Sequence, residues 1–125
     1  MKTPAEWLKQ VDYDMDTADA MFAARRYLYA AFMCHLSVEK ALKALFLERT
    51  KNDPPKSHNL LHFITTLCLV PPLDIFKFLT RLNEASIATR YPEALDITLG
   101  NYTESVTQDI LTRGKEAVKW IKAQF

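Results

Sequence analysis

Between Leu28 and Arg49 the chain runs without a glycine or proline, through residues dominated by Ala, Leu, Glu and Lys. These are strong helix formers, and the run is long enough for about six turns. Leu28, Ala31, Phe32, Leu36, Leu42, Leu45 and Phe46 give this helix a wide apolar face. A face of that breadth predicts a central helix with several neighbours. The whole chain of 125 residues holds two glycines and six prolines. A sandwich or barrel needs more turn residues than that, so the expected class is all-α.

The remaining elements follow from caps and periodicity. Thr3 as cap, Pro4 in the first turn and Glu6 as the second half of a capping box open the first helix. Leu8, Val11, Met15, Ala18 and Met21 form its inner stripe, and Asp12, Asp14, Asp16 and Asp19 fall mostly away from it. Nothing punctuates its end, so the turn is placed at Arg25-Arg26-Tyr27. Asn52-Asp53-Pro54-Pro55 stops the long helix. Ser57 is expected to cap a third helix carrying Leu60, Leu61, Ile64 and Leu67, which ends before Pro71-Pro72. Asp74 opens a fourth with Phe76, Leu79, Leu82 and Ile87 inward, ending near Arg90-Tyr91-Pro92. A loop is expected through Gly100. Asn101 with Glu104, or Thr103, then caps a last helix with Val106, Ile110, Ala117 and Ile121 inward. The expectation is one domain over 1–125, an antiparallel up-and-down bundle of about five helices.

Charge and cysteines narrow the class. Sixteen basic and fifteen acidic residues leave a net charge of +1, without the basic excess of a dedicated nucleic-acid binder. The distribution is uneven. Residues 1–24 hold five acids and two bases, and residues 25–56 hold seven bases and three acids. Differing solvated faces account for this, and a modest anion-attracting surface in the second segment is the alternative. Cys34 and Cys68 lie in apolar stretches with no metal-ligand spacing, as small buried hydrophobes would. The N-terminal residues lack the apolar run of a signal peptide, and no stretch is long enough to span a bilayer. A cytoplasmic protein with no membrane partner is expected.

Few residues advertise chemistry. His58 and His62, four apart, would share a helical face as in some metal sites, but no further ligand follows in step, so no metal is expected. Glu39 and Lys43 have the spacing of an ion pair on an exposed helix, and Lys40 that of a solvated side chain. With Gly100 and Gly114 the only glycines, no phosphate-cradling loop exists, and none of the serines sits in a nucleophile elbow. No cofactor and no catalytic set is expected.

Three segments together resemble the HEPN family. They are Tyr29-Ala30-Ala31-Phe32 through Val38-Glu39-Lys40-Ala41-Leu42-Lys43-Ala44-Leu45, then Lys56-Ser57-His58-Asn59-Leu60, then Thr89-Arg90-Tyr91-Pro92-Glu93. Thr89 stands where the family pattern has alanine. Their order and spacing also fit. The resemblance implies a helical bundle that pairs into a homodimer and is often encoded beside a minimal nucleotidyltransferase, in many cases as a toxin–antitoxin system. Many relatives are metal-independent ribonucleases with an arginine, a polar residue and a nearby histidine. That spacing is absent here: Arg49 and His58 are far apart with Pro54 and Pro55 between, and Arg81, Arg90 and Arg113 have no histidine downstream.

The expected function is therefore a non-enzymatic partner of a nucleotidyltransferase. Lys43, His58, Arg90 and Tyr91, which match recurring polar positions, are the candidate residues for binding nucleotide or RNA. An equally weighted architectural reading has Arg90 and Tyr91 fixing a loop and His58 buttressing the third helix. A ribonuclease that uses Arg90 or Arg49 with a distant His58 is the alternative function, and a dimerising scaffold without ligand is a further one. The homodimer expectation also rests on Trp7, Trp120, Phe22 and Phe125, which near the bundle ends would leave an apolar patch.

Overall fold

The computed structural model describes residues 2–88 and 95–125. Among them are six helices and no strand: α1 Pro4–Ala23, α2 Tyr27–Thr50, α3 Leu60–Thr66, α4 Leu73–Ala88, α5 Leu95–Asn101 and α6 Glu104–Lys122. The all-helical bundle stands as expected, with one helix more. The extra one is α5, a seven-residue helix in the segment expected as a loop, and it buries none of its residues. A helix without a buried face leaves no periodic signal to read.

Helix α2 is the axis of the fold, packed by α1, α3, α4, α5 and α6. Ala30, Ala31, Cys34, Val38, Ala41, Leu42, Ala44 and Leu45 are all buried, so little of its circumference reaches water. Small residues bring the neighbouring axes close. Helix α6 packs closely on α2 at Gly114, where a Cβ would run into Cys34 Sγ. Ser37 Oγ, also buried, donates to the Val11 carbonyl across the α1–α2 seam at 2.8 Å. Val11, Phe63, Leu79, Leu82 and Ile121 complete the core.

The helix ends explain why their boundaries are hard to read. Arg25 N donates to Phe22 O and Arg26 N to Met21 O, with Arg25 at φ 63°. This is a Schellman ending, usually built on glycine, with an arginine in the left-handed position. Cys68, at φ 53°, ends α3 in the same way. That position turns its thiol outward, so Cys68 is exposed rather than packed like Cys34. A side chain in this conformation costs about 1 kcal/mol or more.

Several expectations need correction. Asn59, not Ser57, caps α3 through its side chain, whereas of the two caps open for α6 the expected Thr103 is the one present. On α4 the inner stripe is Phe78, Leu79, Leu82 and Ala85, while Phe76 and Ile87 are exposed. The stripe is set by where α4 meets α2, and apolar residues on both sides of it left the phase ambiguous in sequence. Asp14 is buried and forms an ion pair with Lys40 at 2.7 Å, so Lys40 is not merely solvated. Trp7, Trp120 and Phe22 are half-buried, and Phe125 alone of those four is exposed. The exposed apolar residues instead include Leu73, Phe76 and Ile87 on α4 and Leu95 and Ile97 on α5.

Replacing Gly114 with alanine should lower stability by about 1–2 kcal/mol, overpacking against Cys34 outweighing the better helix propensity. Urea unfolding checks this. In a Cys34→Ala background the same change should cost less, because the obstructing sulfur is gone.

Candidate functional site

A buried carboxylate organises the polar centre of the molecule. Glu39, on α2, is only 3% exposed, which demands partners for both its oxygens. Oε1 takes the His58 Nδ1–H at 2.8 Å, and Oε2 takes Lys43 Nζ at 3.2 Å. The Glu39–Lys43 pair expected from spacing is therefore present, but it is buried rather than on an exposed face. A carboxylate oxygen accepts, so Nδ1 carries the proton of this bond, and Nε2 makes no hydrogen bond among the described residues. Half of the His58 side chain stays exposed.

His58 reaches Glu39 because its corner is clamped from below. Asn83 on α4 accepts from Leu60 N at 3.1 Å through Oδ1, and its Nδ2 donates to Asn59 Oδ1 at 3.0 Å. Asn59 in turn caps α3 by accepting from Leu61 N. Asn83 escaped the sequence reading, and its one signal is being a polar residue directly after Leu82 on the inner side of α4. The same clamp sets His58 ahead of α3, so the helical i, i+4 relation to His62 does not exist. No metal-ligand cluster occurs among the described residues.

Beneath this pair lies His35, fully buried, with Nδ1 at 3.9 Å from Glu39 Oε1. Burial pushes its pKa below the ordinary 6.5, and the Glu39 charge offsets this only in part. The ring is neutral in the fold. Cys34, one residue before, has its thiol pushed up to about 12 by burial, so it supplies no thiolate nucleophile.

Lys43 also faces a cleft. Its Nζ lies 5.8 Å from the centre of the Trp7 ring, and Lys2 sits over the same ring at 4.6 Å. Lys2, Trp7, Lys43, Asp53, Pro54, Pro55 and Lys56 enclose about 350 Å³. Lys43 is already paired with Glu39, so Lys2 and Lys56 against Asp53 leave the cleft one positive charge in excess, which attracts anions, with an indole face at hand. Lys43 and His58 thus meet on Glu39, whereas Arg90 and Tyr91 lie outside the described residues. Arg49 stands apart: ten residues along α2, about 15 Å from Glu39, it donates to the Gln124 carbonyl at 2.8 Å.

A model of the HEPN domain matches residues 4–124. The chain belongs to the HEPN domain family. Among solved structures, this HEPN chain is similar to ST0689, an archaeal HEPN homologue, at a TM-score of 0.80 and 26% identity, covering 99% of this chain and 98% of that one. It shares its fold with TT1696 from Thermus thermophilus at a TM-score of 0.82 and 23% identity, both chains covered to 100%. No curated protein matches it.

Removing Glu39 strands the Lys43 ammonium and the His58 Nδ1–H, so Glu39→Ala should cost about 3 kcal/mol of stability, read by urea unfolding. His35 imposes a pH dependence of known sign. Its folded pKa is depressed, so its contribution is complete above the unfolded value and is lost as pH falls below it, where the unfolded ring takes a proton the folded ring refuses. The urea midpoint should therefore drop between about pH 7 and pH 5, and His35→Asn should flatten that drop.

Proposed function

We propose that this HEPN chain is the non-enzymatic helical partner of a minimal nucleotidyltransferase, working in the cytoplasm as a homodimer in a system of the toxin–antitoxin kind. Within that role it binds a nucleotide or RNA, with Lys43, His58, Arg90 and Tyr91 as candidate contacts. The observation that supports a ligand is the juxtaposition of Lys43 with Trp7 and Lys2 in an anion-attracting cleft, beside a half-exposed His58. Phosphate oxygens suit the ammonium groups, and a planar base suits the indole face. Support for the homodimer comes from the apolar side chains that α4 and α5 leave exposed, Leu73, Phe76, Ile87, Leu95 and Ile97. Among the described residues no helix is long and apolar enough to cross a membrane.

One observation favours a second reading, a metal-independent ribonuclease. A histidine whose Nδ1 is held by a buried carboxylate keeps Nε2 oriented for proton transfer, and Lys43 lies close enough to steady phosphate charge.

Calorimetric titration with nucleoside triphosphates and short RNA tests the first reading. Lys43→Gln and Arg90→Ala should each weaken binding by about 10-fold or more, with thermal unfolding confirming that the variants fold. Equal affinity in wild type and both variants removes the groove. RNA incubated with the protein and a chelator should stay intact, and cleavage that disappears in His58→Ala would put the ribonuclease reading in its place. Light scattering should give twice the 14.4 kDa chain mass, and the nucleotidyltransferase encoded beside it should co-purify.

A further inference from the structure

A second cavity, unrelated to Glu39, opens at the other end of α2. It encloses about 290 Å³ between the α1–α2 corner and the α5 end, lined chiefly by Arg25, Arg26, Tyr27, Tyr29, Leu99 and Tyr102. Its entrance is about 21 Å along the α2 axis from Lys43, so the two sites do not overlap. Among the described residues no acidic side chain lines it.

The arginines here are unlike the other described ones. Arg49 holds the Gln124 carbonyl, while Arg81 and Arg113 share Asp109. Arg25 and Arg26 are exposed and make no ion pair or side-chain hydrogen bond among the described residues. Arg25 moreover occupies a left-handed backbone position, φ 63°, where glycine would be the relaxed choice. The tyrosines offer ring faces. Tyr27 is braced by Phe22 at 5.4 Å between centroids, and Tyr29 is 54% exposed. Helix α2 begins beside them with no acid in its first turn and no side-chain cap, which leaves the local field positive.

We propose that this corner is a second binding site that takes a nucleotide unit, its base laid on the tyrosine rings and its phosphate between Arg25 and Arg26. Two free guanidinium groups match phosphate oxygens, and the volume accommodates one planar base with the apolar edge of Leu99 closing one side. The unit is either a free nucleotide or one residue of a single strand. The chemistry is shared, and the probes separate the sources.

Anisotropy with a labelled six-residue oligoadenylate RNA and calorimetry with AMP, both at low salt, read the site. Wild type should bind the RNA, with AMP competing if free nucleotide is the ligand and failing to compete if a strand is needed. Arg25→Gly is the decisive variant, because it relaxes the backbone while deleting the guanidinium. It should melt at or above the wild-type temperature yet bind about 10-fold more weakly or worse, as should Tyr29→Ala, and Arg26→Gln should reduce the salt dependence. The binding event lost in Arg25→Gly should persist in Lys43→Gln, which separates this site from the Trp7 cleft. Absence of binding of both probes by wild type, or wild-type affinity in Arg25→Gly and Tyr29→Ala, overturns the proposal.

Discussion

Every feature of this bundle answers to one constraint, the near-complete burial of α2. A helix surrounded on so many sides has nowhere to send a polar side chain, so each polar group on it must find a partner inside the protein. Ser37 bonds the Val11 carbonyl, and Lys40 reaches the buried Asp14. Glu39 has the largest requirement, and His58 and Lys43 meet it. His35, whose Nδ1 lies 3.9 Å from Glu39 Oε1 and so beyond hydrogen-bond reach, stays neutral instead.

The polar centre is thus first a structural solution and only then a site. Its chemistry comes from incomplete burial of the partners. Glu39 is sealed, but His58 keeps half its surface in water, and Lys43 borders the Trp7 cleft. A rigid carboxylate behind a half-exposed imidazole fixes ring orientation and proton placement without moving parts. Small residues make this compactness attainable. Gly114 against Cys34, and the alanines of α2, bring α6 and α1 close enough to cover the helix that carries the cluster.

Much of the architecture was legible because it rests on local rules. The unbroken run from Leu28 to Arg49, the Thr3–Glu6 capping box and the proline stops are signals of backbone propensity, and the helices stand where these put them. What escaped was whatever lacked a local signature. Glycine is the usual marker of a helix end, yet Arg25, Lys51 and Cys68 take the left-handed positions while both glycines lie inside helices. The phase of α4 and the existence of α5 were equally unreadable, one having too much apolar surface and the other no buried face. For the site, Lys43 and His58 came from motif resemblance. Neither the depth of Glu39 nor the clamp by Asn83 could be inferred, since both depend on which helices happen to cover them.

Helix content, the central place of α2 and the pairing distance of Glu39 and Lys43 were written in the order of residues, because propensity and four-residue spacing act between near neighbours in the chain. Whether that pair would stand in water or in the core was settled by the neighbours that α1, α3 and α4 supply. So was the meeting of His58 with Glu39, nineteen residues apart in sequence and 2.8 Å apart in space. Burial is a property of the assembled layers, and the same carboxylate is a surface charge or an organising centre according to how much water those layers leave beside it.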